Sequence, residues 1–170
     1  MTAFLTPVPL TSTAFAPFGR VIECGHASAD AMNSARFQRY NALAKLDLDA
    51  GLDGIISIAE CIEPSSLPYQ IDLMERHPRG SQAFVPLSET RMIVVVAPAG
   101  EEIDLSTLQA FVSDGRQGIQ YHRGIWHMPL IAFEAGQRFL VVDADDDEHN
   151  CDEIRLAPPV VLEPPADAWP

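Results

Sequence analysis

No stretch of this 170-residue chain approaches the roughly eighteen uninterrupted apolar residues of a membrane-spanning helix, although 47% of its residues are hydrophobic. That apolar content suits the core of one soluble, compact domain spanning the whole chain. Cations are scarce: 11 Lys and Arg stand against 24 Asp and Glu, a formal net charge of −13. Each phosphate contact needs a Lys or Arg, so the charge balance argues against nucleic acid and anionic membrane surfaces as partners. Cysteine is sparse too. Cys24, Cys61 and Cys151 are widely spaced and odd in number, which fits neither a disulfide framework nor a CxxC metal clip and predicts reduced, buried thiols. Met1 to Leu10 contains no Lys or Arg and no continuous apolar block. It therefore lacks the features of a secretory signal, and the default location is the cytoplasm.

Internal repeats are also missing, and the proline-rich segments lie mainly at the ends. Residues 2–19 read as an N-terminal arm in which Thr11 to Phe15 begins a short helix, followed by a strand at Arg20 to Cys24. The tail, Ala157 to Pro170, carries five prolines and is expected to lie extended against the surface. Between arm and tail, short apolar runs bounded by turn residues predict strands at Ile55–Ile62, Tyr69–Glu75, Ser81–Val85, Met92–Ala97, Leu108–Val112, Ile119–Tyr121, Met128–Glu134 and Gln137–Asp143. Runs spaced about eight to twelve residues apart indicate an all-β sandwich or barrel with minor helices. A helical turn is expected at Ser106–Gln109 with Ser106 as its cap, and Leu43–Leu48 is ambiguous. The acidic run Asp143–Glu148 reads as a hydrated loop, because it lacks the glycine and the spaced Glu of a calcium loop.

Two segments carry the chemistry. Glu75-Arg76-His77-Pro78-Arg79-Gly80-Ser81-Gln82 is answered some forty residues later by Tyr121-His122-Arg123-Gly124-Ile125-Trp126-His127. On a strand, Glu75 and His77 share one face with Leu73, while Met74 and Arg76 take the other. Gly80 permits a turn, after which Gln82 and Phe84 share a face and Gln82 can complete a cluster with Glu75 and His77. His122 and His127 flank Gly124, so their mutual orientation depends on that turn; Trp126 offers either core packing or an aromatic wall for a small ligand. A surface hairpin and a satisfied buried histidine are the plainer readings of the two segments.

Glu-x-His-x4-Gln followed by Gly-x2-His resembles the two-motif plan of the cupin superfamily. Glu75 stands where the first cupin histidine usually sits, Gln82 where the glutamate sits, and His127 takes the second-motif position. The fuller wording, Leu73-Met74-Glu75-Arg76-His77-Pro78-x-Gly80-Ser81-Gln82-Ala83-Phe84-Val85-Pro86 with Tyr121-His122-Arg123-x-x-Trp126-His127-x-Pro129-Leu130, resembles the bacterial ureidoglycolate lyase family. Asp104-Leu105-Ser106-Thr107-Leu108 and Asn150-Cys151-Asp152 extend the likeness over nearly the whole chain.

The resemblance implies a cupin-like double-stranded β-helix, or jelly-roll barrel, that forms a homodimer and cleaves (S)-ureidoglycolate to glyoxylate and urea in allantoin and purine catabolism. Cleavage of that hemiaminal needs a general base, a general acid and a group to bind the carboxylate. His77, His122 and His127 are the candidates for proton transfer, with Glu75 orienting an imidazole. Arg39 is the candidate carboxylate clamp, and Gln82 and Trp126 are candidate substrate contacts. The cofactor stays open: Glu75, His77, Gln82 and His127 form a weaker ligand set than three histidines and a carboxylate, yet one able to hold a borderline divalent ion. A barrel that binds a small carboxylate without turnover and a cupin sugar epimerase or isomerase are the competing readings.

Overall fold

The computed structural model describes residues 3–25, 28–146 and 150–166. Strands β1 (Phe4–Leu5) and β2 (Val8–Pro9) lead into helix α1 (Ser12–Phe15). The helix starts where the sequence predicts, because the Thr11 hydroxyl caps it by accepting from the Ala14 N–H at 3.1 Å. There follow β3 (Gly19–Ile22), β4 (Ala29–Met32), β5 (Phe37–Tyr40), β6 (Gly54–Glu60), β7 (Tyr69–Arg76), β8 (Gln82–Pro86), β9 (Ile93–Ala97), β10 (Gln109–Val112), β11 (Gly118–Tyr121), β12 (Trp126–His127), β13 (Arg138–Ala144) and β14 (Asp152–Leu162).

Two sheets make the cupin-like sandwich: a seven-stranded one ordered β1-β14-β7-β12-β9-β10-β2, and a five-stranded one ordered β3-β11-β8-β13-β6. Strand β9, Ile-Val-Val-Val-Ala, is apolar throughout because both of its faces are covered. Val94 and Val96 enter the layer between the sheets with Phe84, Ile119, Phe139 and Val141. Ile93, Val95 and Ala97 face a second layer with Met74, Trp126 and Leu162, onto which half-buried Leu67, Ile103, Leu105 and Phe133 fold. The seven-stranded sheet is thus roofed on its outer side. The five-stranded sheet is not: Ile56 and Ile58 of β6 stand 73% and 62% exposed.

Several expectations need correction. Met128–Glu134 is not a strand; the strand is Trp126–His127, and Pro129, which has no N–H for a ladder, follows it directly. The tail does not lie on the surface through Leu162: Asp152–Leu162 is a strand inside the seven-stranded sheet, between β1 and β7, with Leu156, Val160 and Leu162 buried. Its prolines fit because the pairing with β7 shifts register between Arg155 and Val160, and Pro158 and Pro159 sit in that irregularity. The turn near Ser106 is a 3-10 helix, Leu105–Thr107, capped by Asp104 rather than Ser106. Asp143 lies in β13 and Asp146 pairs with Arg79, so the start of the acidic run is structured; Asp147 and Glu148 lie outside the described residues. Cys24 and Cys151 are exposed and Cys61 is half-buried, against the expectation of buried thiols. Leu43–Leu48 is irregular apart from a bridge between Leu48 and Gly80.

Strand β3 closes the sheet edge nearest the second sequence motif, with Gly19 opposite Tyr121. A Cβ on Gly19 would lie 1.9 Å from the Gln120 carbonyl oxygen and 2.9 Å from the Phe15 ring. Backbone cannot yield as a side-chain end does, so Gly19→Ala is expected to destabilise the fold by at least about 2 kcal/mol. Thermal unfolding should show a midpoint at least about 5 °C lower; an unchanged midpoint would contradict the close approach.

Candidate active site

Strand β7 lies between β12 and β14, which places Glu75 directly opposite His127 on one side and Glu153 on the other. His77, one residue beyond the end of β7, keeps the same phase as Glu75 and joins the cluster. One ligand atom from each of Glu75, His77 and His127 falls within 4.8 Å of the others, and the two imidazole centroids are 5.3 Å apart. Of the expected group of Glu75, His77, Gln82 and His127, the strands bring the carboxylate and the two imidazoles together.

The backbone fixes which nitrogen of each ring faces the cluster. His77 Nδ1 is bonded to the Asn150 carbonyl, and His127 Nδ1 to the Ile125 carbonyl at 3.0 Å. A carbonyl only accepts, so both Nδ1 atoms carry a proton, and each Nε2 is a lone pair on a neutral ring or the second N–H of an imidazolium. These Nε2 atoms are buried and make no hydrogen bond. His127 Nε2 lies 3.3 Å from Glu75 Oε1, near enough for an ion pair but not aligned as a directed hydrogen bond. A lone pair facing a carboxylate oxygen is repulsive unless a proton or a cation sits between them. The constellation is therefore built to hold one or the other.

Electrostatics divides the roles. Burial pushes the Glu75 carboxyl up, but its contacts with His127 and His77 outweigh that and hold it below the usual carboxylate range. Burial, with the neighbouring His127, pushes His77 below the ordinary imidazole value despite its bond to Asn150. An anionic Glu75 beside a His77 that favours its neutral form is a workable acid–base pair.

The remaining candidates are placed unevenly. Gln82 is buried on β8, where its Nε2 donates to Asp143 Oδ2 at 3.1 Å and its Oε1 has no partner. His122 is exposed on the turn after β11. Trp126 faces away from His127 into the outer core layer, where its Nε1 donates to the Gly100 carbonyl and Arg76 stacks over its ring at 4.8 Å. The core-packing alternative for Trp126 is the one its position matches. Arg39 lies on the β4–β5 hairpin, whose strands pair only with each other, and it makes no contact with the histidines.

Two participants escaped the reading of the sequence. Tyr121 stacks on His127 at 4.1 Å and 16°, and burial with the nearby Glu75 charge keeps its hydroxyl strongly protonated. Asn150 holds His77 through its carbonyl and accepts from the Arg79 N–H at 2.7 Å through its side chain. Alternation along β11 could have flagged Tyr121; no local signal marks Asn150, which reaches the site from 73 residues away.

Glu75, His77 and His127 also fit a borderline divalent cation: one carboxylate and two imidazoles whose other nitrogens are held by backbone carbonyls, the usual support for a metal-binding histidine. The unpaired Oε1 of Gln82 is the fourth donor named from the sequence.

Comparison with known proteins identifies the family. The sequence profile of the family described as ureidoglycolate lyase matches residues 2–163. A ureidoglycolate lyase of Pseudomonas syringae pv. tomato is 45% identical over 150 residues, 88% of each chain. One from Burkholderia mallei is 46% identical over 149 residues, covering 87% of this chain and 86% of its own. One from Stutzerimonas stutzeri is 44% identical over 149 residues, 88% of each. With a matching profile over residues 2–163 and relatives about 45% identical over most of both chains, this chain belongs to the ureidoglycolate lyase family.

Proposed function

We propose that this protein cleaves ureidoglycolate, with preference for the (S) form, to glyoxylate and urea in purine nitrogen catabolism, and that it works as a cytoplasmic homodimer. The observation that carries the chemistry is the pair of bare, buried Nε2 atoms set around one carboxylate. The substrate is a hemiaminal. One imidazole takes the proton from its hydroxyl, the oxygen electrons form the aldehyde carbonyl, and the C–N bond breaks toward the ureido nitrogen. That nitrogen takes a proton from the other imidazole, which enters the step as the cation beside Glu75, and leaves as urea; the proton taken from the hydroxyl then resets the pair. Glu75 stabilises whichever imidazole is transiently cationic, and the Gln82 amide oxygen accepts from the ureido N–H. His122 is a third candidate proton carrier from the sequence, but its exposure favours exchange with solvent over contact with substrate.

Glu75, His77, Gln82 and His127 are the residues that would hold a divalent cation, which when bound supplies Lewis-acid polarisation of a substrate oxygen. Dialysis of purified protein against a chelator, followed by measurement of metal content and zinc affinity for wild type and His77→Ala, reads that fit without an activity assay. No membrane-spanning helix is present among the described residues.

Racemic ureidoglycolate should yield urea and glyoxylate in equal amounts, with half of the substrate consumed quickly. Binding without turnover would make the protein a carboxylate-binding module, and activity only on sugars would make it an epimerase or isomerase. His122→Ala should keep turnover within about tenfold of wild type, below the usual contribution of a positioned acid or base. A loss of a hundredfold or more would return His122 to the catalytic set.

A further inference from the structure

A carboxylate decides which way the Gln82 amide points. Gln82 begins β8 directly opposite Tyr121 of β11, whose ring is stacked on His127 at 4.1 Å. It shares a strand face with Phe84, which enters the layer between the sheets, and Trp126 turns to the outer layer. Gln82 and His127 therefore address the same interior from opposite sheets. Asp143, two residues beyond Val141 on β13, takes that face too, close enough for its charge to act on His77.

Gln82 is 8% exposed, and its Nε2 donates to Asp143 Oδ2 at 3.1 Å while its Oε1 is buried without a partner. Among the described residues this is the one side-chain hydrogen bond of Asp143, and no cation pairs with it. An amide has two orientations of the same shape, which exchange a donor for an acceptor. In the observed one an N–H meets the carboxylate. In the other, two acceptor oxygens would face each other with no proton between them, and attraction would become repulsion. A buried amide oxygen ordinarily takes a donor from the protein. Asp143 instead holds Gln82 in the orientation that leaves this acceptor bare, a cost that an N–H on a ligand offsets.

We infer that Asp143 is a positioning residue for substrate selection: it locks the Gln82 amide with its oxygen free for the interior, where that oxygen favours a ligand bearing a ureido N–H. The inference rests on the lyase reading and adds how the urea half of the substrate is told apart. Ureidoglycolate shares its carboxylate and hydroxyl with every small 2-hydroxy acid; its ureido N–H groups do not occur in them. A buried acceptor that only such a group satisfies discriminates strongly against a ligand lacking it.

The test is binding, measured by calorimetry on the full chain after treatment with a chelator. The probes are ureidoacetate, which is the substrate without its hydroxyl, and glycolate, which is the substrate without its ureido group. Asp143→Asn gives Gln82 a neutral partner able to donate, so the amide can turn over and satisfy its own oxygen. The ratio of the two affinities should then fall about fivefold or more, as the competent orientation becomes a minority. Adding Gln82→Glu to Asp143→Asn should restore the ratio at unchanged net charge, because the new amide donates to the new carboxylate and leaves only an oxygen for the interior. A merely structural Asp143 would change the melting temperature and leave the ratio alone.

An unchanged ratio in Asp143→Asn, or a double variant as unselective as the single one, overturns the assignment. If Asp143→Asn does not fold, Gln82→Leu decides: it removes the acceptor at similar volume and should lose the same selectivity, and a retained ratio overturns the proposal. Selectivity that appears only when zinc is added gives the oxygen to a cation and overturns it as well. A wild type with no preference for ureidoacetate overturns the selection whether or not urea is released. A wild type that prefers ureidoacetate but releases no urea from ureidoglycolate sinks the lyase reading alone.

Discussion

His127→Ala is expected to lower kcat by about 10²-fold or more while leaving a folded protein, the usual scale for loss of one positioned acid or base. The argument is geometric. His127 is 1% exposed, its Nδ1 proton is held by Ile125, its ring is clamped against Tyr121 at 4.1 Å, and its remaining nitrogen faces Glu75. The Ile125 bond and the Tyr121 stack support the fold, but a buried Nε2 without a directed hydrogen bond beside a carboxylate does not. Truncation removes that mismatch together with some packing against Tyr121, so thermal stability should change far less than turnover. Steady-state kinetics beside a melting curve decides the matter: a folded variant with wild-type kcat takes His127 out of the mechanism.

Glu75→Gln should have the second-largest effect, a fall in kcat of about 10²-fold with little change in fold. Glu75 is the one residue that touches both halves of the constellation, opposite His127 in the ladder and grouped with His77 at the strand end. A neutral amide keeps the volume but gives up the charge that favours the cationic imidazole formed during proton transfer. It also replaces one acceptor oxygen with a donor, which can satisfy a bare Nε2 and so withdraw it from the substrate. Its signature should therefore be a slower enzyme of equal or greater thermal stability. If Glu75→Gln both unfolds the protein and, when refolded, turns over normally, Glu75 is a structural group and the polarising role is wrong.

Most of the site was legible because it depends on short-range rules. Glu75 and His77 share a wall through strand alternation alone, and His127 reaches them because β12 is laid against β7. Seven of the eight strands expected in the middle of the chain form within a residue or two of the expected bounds, since each is an apolar run closed by turn residues; β11, for example, adds only Gly118. The miss at Met128–Glu134 has a plain cause: apolar residues there roof the outer core layer as loop, and hydrophobicity does not distinguish a roof from a strand. The C-terminal strand was hidden by its prolines, which argue against a sheet interior unless a register shift receives them. The β4–β5 hairpin was invisible because its short strands, exposed on both faces, carry no apolar–polar alternation to detect. Tyr121 and Asn150 were missed for another reason: their roles come from contacts between distant segments, which strand alternation suggests for Tyr121 alone.

The position of the last strand has a consequence for how the molecule comes into being. Strand β7, which carries Glu75, takes one neighbour from the middle of the chain and the other from its end, and Asn150 supplies the carbonyl that sets the His77 ring. The outermost pairing joins Phe4 to Val161, so the sheet closes over almost the entire length of the polypeptide. Pairings this remote in sequence are slow to form, because the loop must be ordered before any contact rewards it. During synthesis Glu75, His77 and His127 are all in place along the chain by residue 127, yet His77 lacks the carbonyl that sets its ring until Asn150 follows. A chain cut before Asn150 keeps the Glu75–His127 half of the cluster but loses the support of the His77 ring and one neighbour of β7.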